Sequence, residues 1–356
     1  MSPARGTYGP LLAELDLPLP GRGATLARWR DLARLTARNV VTGRLAEAHA
    51  DAVAITTDLG APELVAPGTH WGVWAAEPPS PRLYAAEAGG SWTLSGTKPW
   101  CSGASLCTHA LVTATVDGDG GAVALFAVDL RRPGVRAVPD TWPAVGMADS
   151  DSGWVELSEV PARRLGSHAD YLDRPGFWHG GAGVAACWFG GAAGVAAPLL
   201  ARAARPGASE LVRAHAGATA AELAAGWALL TEAAATIDAD PDDRAGLRTA
   251  RALSVRTRID RLATTVIARV GRGLGAGPLC ADGEHARRVA DLGVYIRQTH
   301  AEADEAQIAA AVAARAEAGE DASVLWGAII GFDPNGGDTP ERRPGAGMPA
   351  IADGDA

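Results

Sequence analysis

The sequence predicts an α+β chain: N-terminal helices, a middle β-domain and a C-terminal helical bundle. Two observations carry this. The spacing of apolar residues changes twice, from helical steps of three and four to short runs of β-formers and back again, and turn residues crowd the middle of the chain. Length is a third. At 356 residues and 47% hydrophobic content, the chain exceeds the roughly 250 residues at which single cores stop growing.

Residues 1–67 are expected to be helical. Leu26, Trp29, Leu32 and Leu35 recur at three-residue steps beside Arg28, Arg30, Asp31 and Arg34, the pattern of an amphipathic helix. A second helix runs from about Val40 to Leu59 and stops at Gly60, Ala61 and Pro62. Residues 68–170 form the β-domain. There Leu83 to Glu87 and Ser91 to Ser95 flank Ala88-Gly89-Gly90, and Ala110 to Val116 and Ala122 to Leu130 flank an Asp- and Gly-rich turn, so two hairpins are predicted. Val135 to Val138 and Trp154 to Leu157 supply further strands. Residues 171–318 return to helical spacing, with Val255, Ile259, Leu262, Val266 and Val270 on one face of a long helix. Residues 319–356 are rich in Gly, Pro, Asp and Arg and read as a flexible tail with one apolar docking stretch, Val324 to Phe332.

Composition excludes several functions. A formal charge of −9 opposes binding to nucleic acid or anionic membranes, which need concentrated Lys and Arg. Cys101, Cys107, Cys187 and Cys280 form no CxxC pair, which points to reduced thiols rather than zinc or a disulfide framework. The start lacks a secretory pattern, so a cytoplasmic protein is expected. Phe177 to Ala201 carries no charged residue and is long enough to span a bilayer, but it is mostly Gly and Ala with His179 and Pro198 inside, and reads as a buried helix. The glycine run from Gly271 to Gly277 ends a helix instead of opening one after a strand, so it is no dinucleotide fingerprint. His300, Glu302 and Asp304 are read as a solvated helix end, and no metal is expected.

Three ordered segments resemble the acyl-CoA dehydrogenase family. Leu94-Ser-Gly-Thr-Lys98-Pro-Trp-Cys-Ser102-Gly is similar to its "LxGxKxWITNG" strand. Gly146-Met147 and Ser152 to Gly166 follow its closing run, and Ala76-Glu77-Pro78 stands where the family has "TEP". The resemblance extends over roughly residues 24 to 315 and implies an acyl-CoA dehydrogenase-like fold, bound FAD, an acyl-CoA or other acyl thioester substrate, and a homodimer or homotetramer joined by the C-terminal helices. The Gly- and Ala-rich helix around Gly190 and Gly194 suits close approach at such an interface. By position, Trp100 and Ser102 would lie against the flavin ring, and Trp74 and Ala76 would line the same site. An indole offers a flat apolar face and a hydroxyl can donate or accept, which fits that transfer.

Dehydrogenation also needs a carboxylate to remove the α-proton. Anchored on Asp291, the family's Glu position falls on Thr299, and the earlier helix that carries the base in a subset of the family, Gly176 to Leu200, holds no acid. His300 and Glu302 are the nearest titratable residues and the candidate bases. Two other readings stay open: a flavin-dependent monooxygenase on the same scaffold, using Ser102 and His300, and a catalytically silent partner subunit. Arg205 and Arg213 are candidate contacts for a pyrophosphate.

Overall fold

The computed structural model describes Tyr8, Leu11, Leu12 and residues 14–331. Two helices come first, α1 (Thr25–Arg38) and α2 (Val40–Asp58). Between them Asn39 leaves helical geometry, and its side-chain oxygen accepts the Thr42 N–H at 2.8 Å, a cap that ends one helix and starts the next.

Seven strands follow: β1 (Trp71–Trp74), β2 (Leu83–Ala88), β3 (Ser91–Cys101), β4 (His109–Val116), β5 (Val123–Asp129), β6 (Val135–Val138) and β7 (Gly153–Ser167). Both predicted hairpins form, β2 with β3 and β4 with β5. The sheet runs β1-β4-β2-β3-β7-β5, and because β5 also pairs with β4 it closes into a barrel. Alternation divides the strands between two cores. Ala110, Val112 and Ala114 point into the barrel with Leu94, Phe126 and Val155, while Leu111, Leu125 and Trp71 pack outward with Ile55 of α2. Gly96 marks a bulge in β3, where a Cβ would lie 2.5 Å from the Arg82 carbonyl, so this motif glycine is a steric requirement.

The rest is helical: α3 (His168–Leu172), α4 (Pro175–Ala203), α5 (Glu210–Ala239), α6 (Arg248–Leu274), α7 (Gly277–Ala281), α8 (Gly283–Tyr295), α9 (Glu302–Glu317) and α10 (Ala322–Ile330). The face of α6 predicted from Val255, Ile259, Leu262, Val266 and Val270 is buried throughout. Helix α4 passes the length and hydropathy test for a membrane span, yet 67% of its most apolar window is buried inside the protein. Its glycines explain that burial: a Cβ on Gly190 would lie 2.1 Å from the Ala33 carbonyl, and one on Gly194 would lie 2.4 Å from the Ala37 carbonyl. The close approach anticipated for a subunit interface is therefore taken up by α1 of the same chain. Within the expected tail, α10 packs through Leu325 and Ile329 against Leu247 and Val312. Residues 332–356, including the end of the anticipated docking stretch, lie outside the described residues.

Candidate functional site

The site begins at a buried lysine. Lys98 of β3 is 2% exposed, and its ammonium donates to Glu77 at 2.6 Å and to the carbonyl and hydroxyl of Thr113 at 2.7 and 2.8 Å. Burial lowers the Lys98 pKa, and the ion pair with Glu77 opposes that shift. Two motif residues 21 positions apart thus tie the segment after β1 to β3 and β4. This anchor sets the course of the strand beyond it. Two residues on, Trp100 sits in left-handed geometry, φ 58°, which bulky residues adopt at a cost of about 1–3 kcal/mol. The β3–β7 ladder is interrupted between Lys98 and Cys101, and the Trp100 side chain is left 55% exposed.

Next to it the Trp74 indole donates to the Ser102 carbonyl at 3.0 Å, fixing Ser102 against β1. Its hydroxyl lies 3.1 Å from that of Ser152, which lies 2.7 Å from that of Ser150, and Ser150 donates to the Met147 carbonyl. From Met147 the chain of contacts crosses to the helices, because its N–H donates to Asp291 of α8 at 2.5 Å. The Gly146-Met147 and Asp291 landmarks, 144 residues apart, are hydrogen-bonded to each other.

Between the barrel end and α8 opens a cavity of about 550 Å³. Its barrel wall holds Trp74, Ala76, Trp100, Ser102 and Ser152, and its helical wall holds Tyr295, Arg297, Gln298 and His300. Four predicted cofactor-binding residues, Trp74, Ala76, Trp100 and Ser102, are thus brought together. Of the two candidate bases, His300 is on the wall, with its ring nitrogen Nδ1 3.2 Å from Asp304, which also accepts the His300 N–H at 3.0 Å. Glu302 is exposed in the first turn of α9 and does not reach the wall. Thr299, at the position of the family's acid, is not on the wall and bonds Asp304 instead. Among the described residues, no Asp or Glu lines this cavity. Arg205 and Arg213 are exposed and lie outside the wall.

Sequence reasoning missed a charged group on the helical side. Arg44 of α2 reaches the wall, and behind it lies Glu47, 4% exposed, bonded by the Arg44 guanidinium and by the Tyr295 hydroxyl. The available signal was the charged stripe Arg44, Glu47 and Asp51 along one face of an otherwise Val- and Ala-rich helix. These walls fit the flavin that the resemblance implies: an exposed indole for a flat ring, a hydroxyl beside it, and a volume within the range of small-molecule sites.

Comparison with known proteins agrees on the fold. Residues 75–160 match the family model for the acyl-CoA dehydrogenase middle domain. The described architecture also superimposes on solved structures from both dehydrogenases and monooxygenases. The chain has the acyl-CoA dehydrogenase fold. One such structure is TdsC from Paenibacillus sp. A11-2 with FMN and indole, at 20% identity and a TM-score of 0.69, covering 79% of this chain and 81% of that one. The HsaA monooxygenase from M. tuberculosis has 18% identity and a TM-score of 0.66, covering 88% and 84%. A glutaryl-CoA dehydrogenase from Mycobacterium smegmatis with FADH2 has 17% identity and a TM-score of 0.66, covering 82% and 81%. No curated protein matches in sequence. At these identities the likeness is one of fold. Within the acyl-CoA dehydrogenase fold, the matched stretch ends at Val160, before the helices that bring Tyr295 and His300 to the cavity.

Proposed function

We propose that this protein is a flavin-dependent monooxygenase built on the acyl-CoA dehydrogenase fold. The observation that carries the reading is the absence of any carboxylate among the described lining residues, where α-proton removal from an acyl thioester requires a base. Trp100 and Trp74 would hold the flavin ring with Ser102 at its edge, and the bound cofactor would supply the electrons for reductive activation of dioxygen. The chain's own groups supply the rest. Trp100, Trp142 and Val294 give the cavity an apolar surface that a flat ring or an apolar substrate can cover. His300, oriented by Asp304, can accept a proton from the substrate. The open cavity also argues against a silent scaffold, since side chains do not fill it.

The relatives in complex with FMN and with FADH2 support a flavin without choosing between the two forms. Acyl-thioester dehydrogenation has one residue in its favour, His300 as a relocated base. The purified protein, loaded with FMN or FAD, is expected to show yellow flavin bands and to keep them when mixed with a panel of acyl-CoAs under argon. After external reduction and admission of oxygen, it is expected to incorporate labelled oxygen into an aromatic substrate of the panel tested. Rapid bleaching by an acyl-CoA without added reductant would overturn the monooxygenase reading. Failure to take up either flavin would overturn the flavin reading itself.

A further inference from the structure

The acid missing from the cavity wall lies directly behind it. Glu47 accepts hydrogen bonds at one oxygen, Oε2, from the Arg44 guanidinium and from the Tyr295 hydroxyl, the latter at 3.3 Å. Arg44 and Tyr295 both reach the wall, and Glu47 does not. The Arg44 Nε is buried with no hydrogen-bond partner, so among the described residues Glu47 alone bonds this guanidinium. A guanidinium does not shed its proton in this setting. The positive potential it shows to the cavity therefore depends on whether its neighbour carries a charge.

We propose that Glu47 is a positioning residue that sets how much positive charge Arg44 presents to an anionic flavin nucleotide in the cavity. The proposal rests on the flavin reading above. Six groups face Glu47: Arg44 and Asp51 on α2, Tyr295 on α8, Cys187 on α4, Arg256 on α6 and Tyr171 on α3. Asp51 is itself held by Arg28 of α1 at 2.8 Å. Burial pushes the Glu47 carboxyl up to about 7, against the pull of Arg44 and with a smaller push from Asp51. Burial also raises Tyr171 and Cys187 to about 12, which keeps them neutral where Glu47 titrates. Below that pH Glu47 is neutral and Arg44 loses its hydrogen-bonded counter-charge, with Asp51 the remaining acid acting on it; above it, Glu47 offsets the guanidinium.

The test is FMN binding, read by quenching of flavin fluorescence from about pH 6 to about pH 8.5, with circular dichroism and melting curves to confirm folding. For the wild type the Kd is expected to rise by about threefold or more across the range. Glu47→Gln keeps a hydrogen-bond acceptor for Arg44 without the charge, so its Kd should stay at the low-pH value throughout. Arg44→Gln should bind weakly at every pH, which carries the test if the first variant fails to fold. Tyr295→Phe removes a hydrogen bond that favours the charged carboxylate and should move the wild-type midpoint upward. A flat wild-type profile, or a dependence that survives in Glu47→Gln or Arg44→Gln, overturns the proposal while leaving the flavin reading standing. If the wild type binds no FMN at any pH, both fall together.

Discussion

Acid is expected to unfasten α2 from the barrel at His49. This imidazole is 5% exposed, and its Nδ1 accepts the backbone N–H of Trp71, the first residue of β1, at 3.2 Å. Only the neutral ring can accept that bond, and burial, aided by nearby His70, lowers the His49 pKa from 6.5 to about 4. Between those values the unfolded chain binds the proton more readily than the folded one. Stability present above about pH 6.5 is therefore lost progressively as pH falls toward 4. At about 1.4 kcal/mol for each tenfold change in proton affinity, the loss is about 3 kcal/mol. The perturbation is His49→Gln, which cannot titrate but can still offer an oxygen to Trp71. Urea midpoints measured from pH 4 to 7 on both proteins, with exchange of the Trp71 amide as a local probe, should show a shallower acid slope in the variant. Comparing the two removes the contributions of the other buried histidines. Equal slopes, with equal loss of Trp71 protection, would refute the assignment.

Two further outcomes test packing and site. Gly190→Ala would drive a Cβ to within 2.1 Å of the Ala33 carbonyl, and forcing α1 and α4 apart is expected to cost about 2 kcal/mol or more, read as a lower melting temperature. His300→Ala is expected to slow substrate turnover by about a hundredfold, whereas Glu302→Ala, at an exposed site off the wall, should turn over at close to the wild-type rate. Near-wild-type turnover in His300→Ala would remove it from the mechanism.

The order and type of the elements were legible because hydrophobic spacing is a local property. Trp29 and Leu32, or Val255 and Ile259, announce a buried face within a few residues, and the Gly89-Gly90 turn announces its hairpin. The barrel wall of the candidate site was legible for a related reason: Trp100 lies near the end of a recognisable strand and Ser102 just beyond it. The helical wall was harder. Tyr295 and Glu47 are 248 residues apart, and nothing local in Arg44-Leu-Ala-Glu47 distinguishes a solvated helix face from a buried charge pair. Glu302 was singled out by proximity in sequence to His300, but Ala301, with φ 49°, redirects the chain into α9 and carries Glu302 outward.

The Lys98 tether has a consequence for how such a pocket can diversify. By pinning the segment after β1, β3 and β4 to one ammonium, it makes the barrel side a rigid datum. Enlarging or reshaping the space then falls to Trp142, in the loop between β6 and β7, and Val294 of α8, which lie outside the tethered strands. A chain organised this way can acquire a new ligand by altering a handful of helical and loop positions while the barrel surface stays constant.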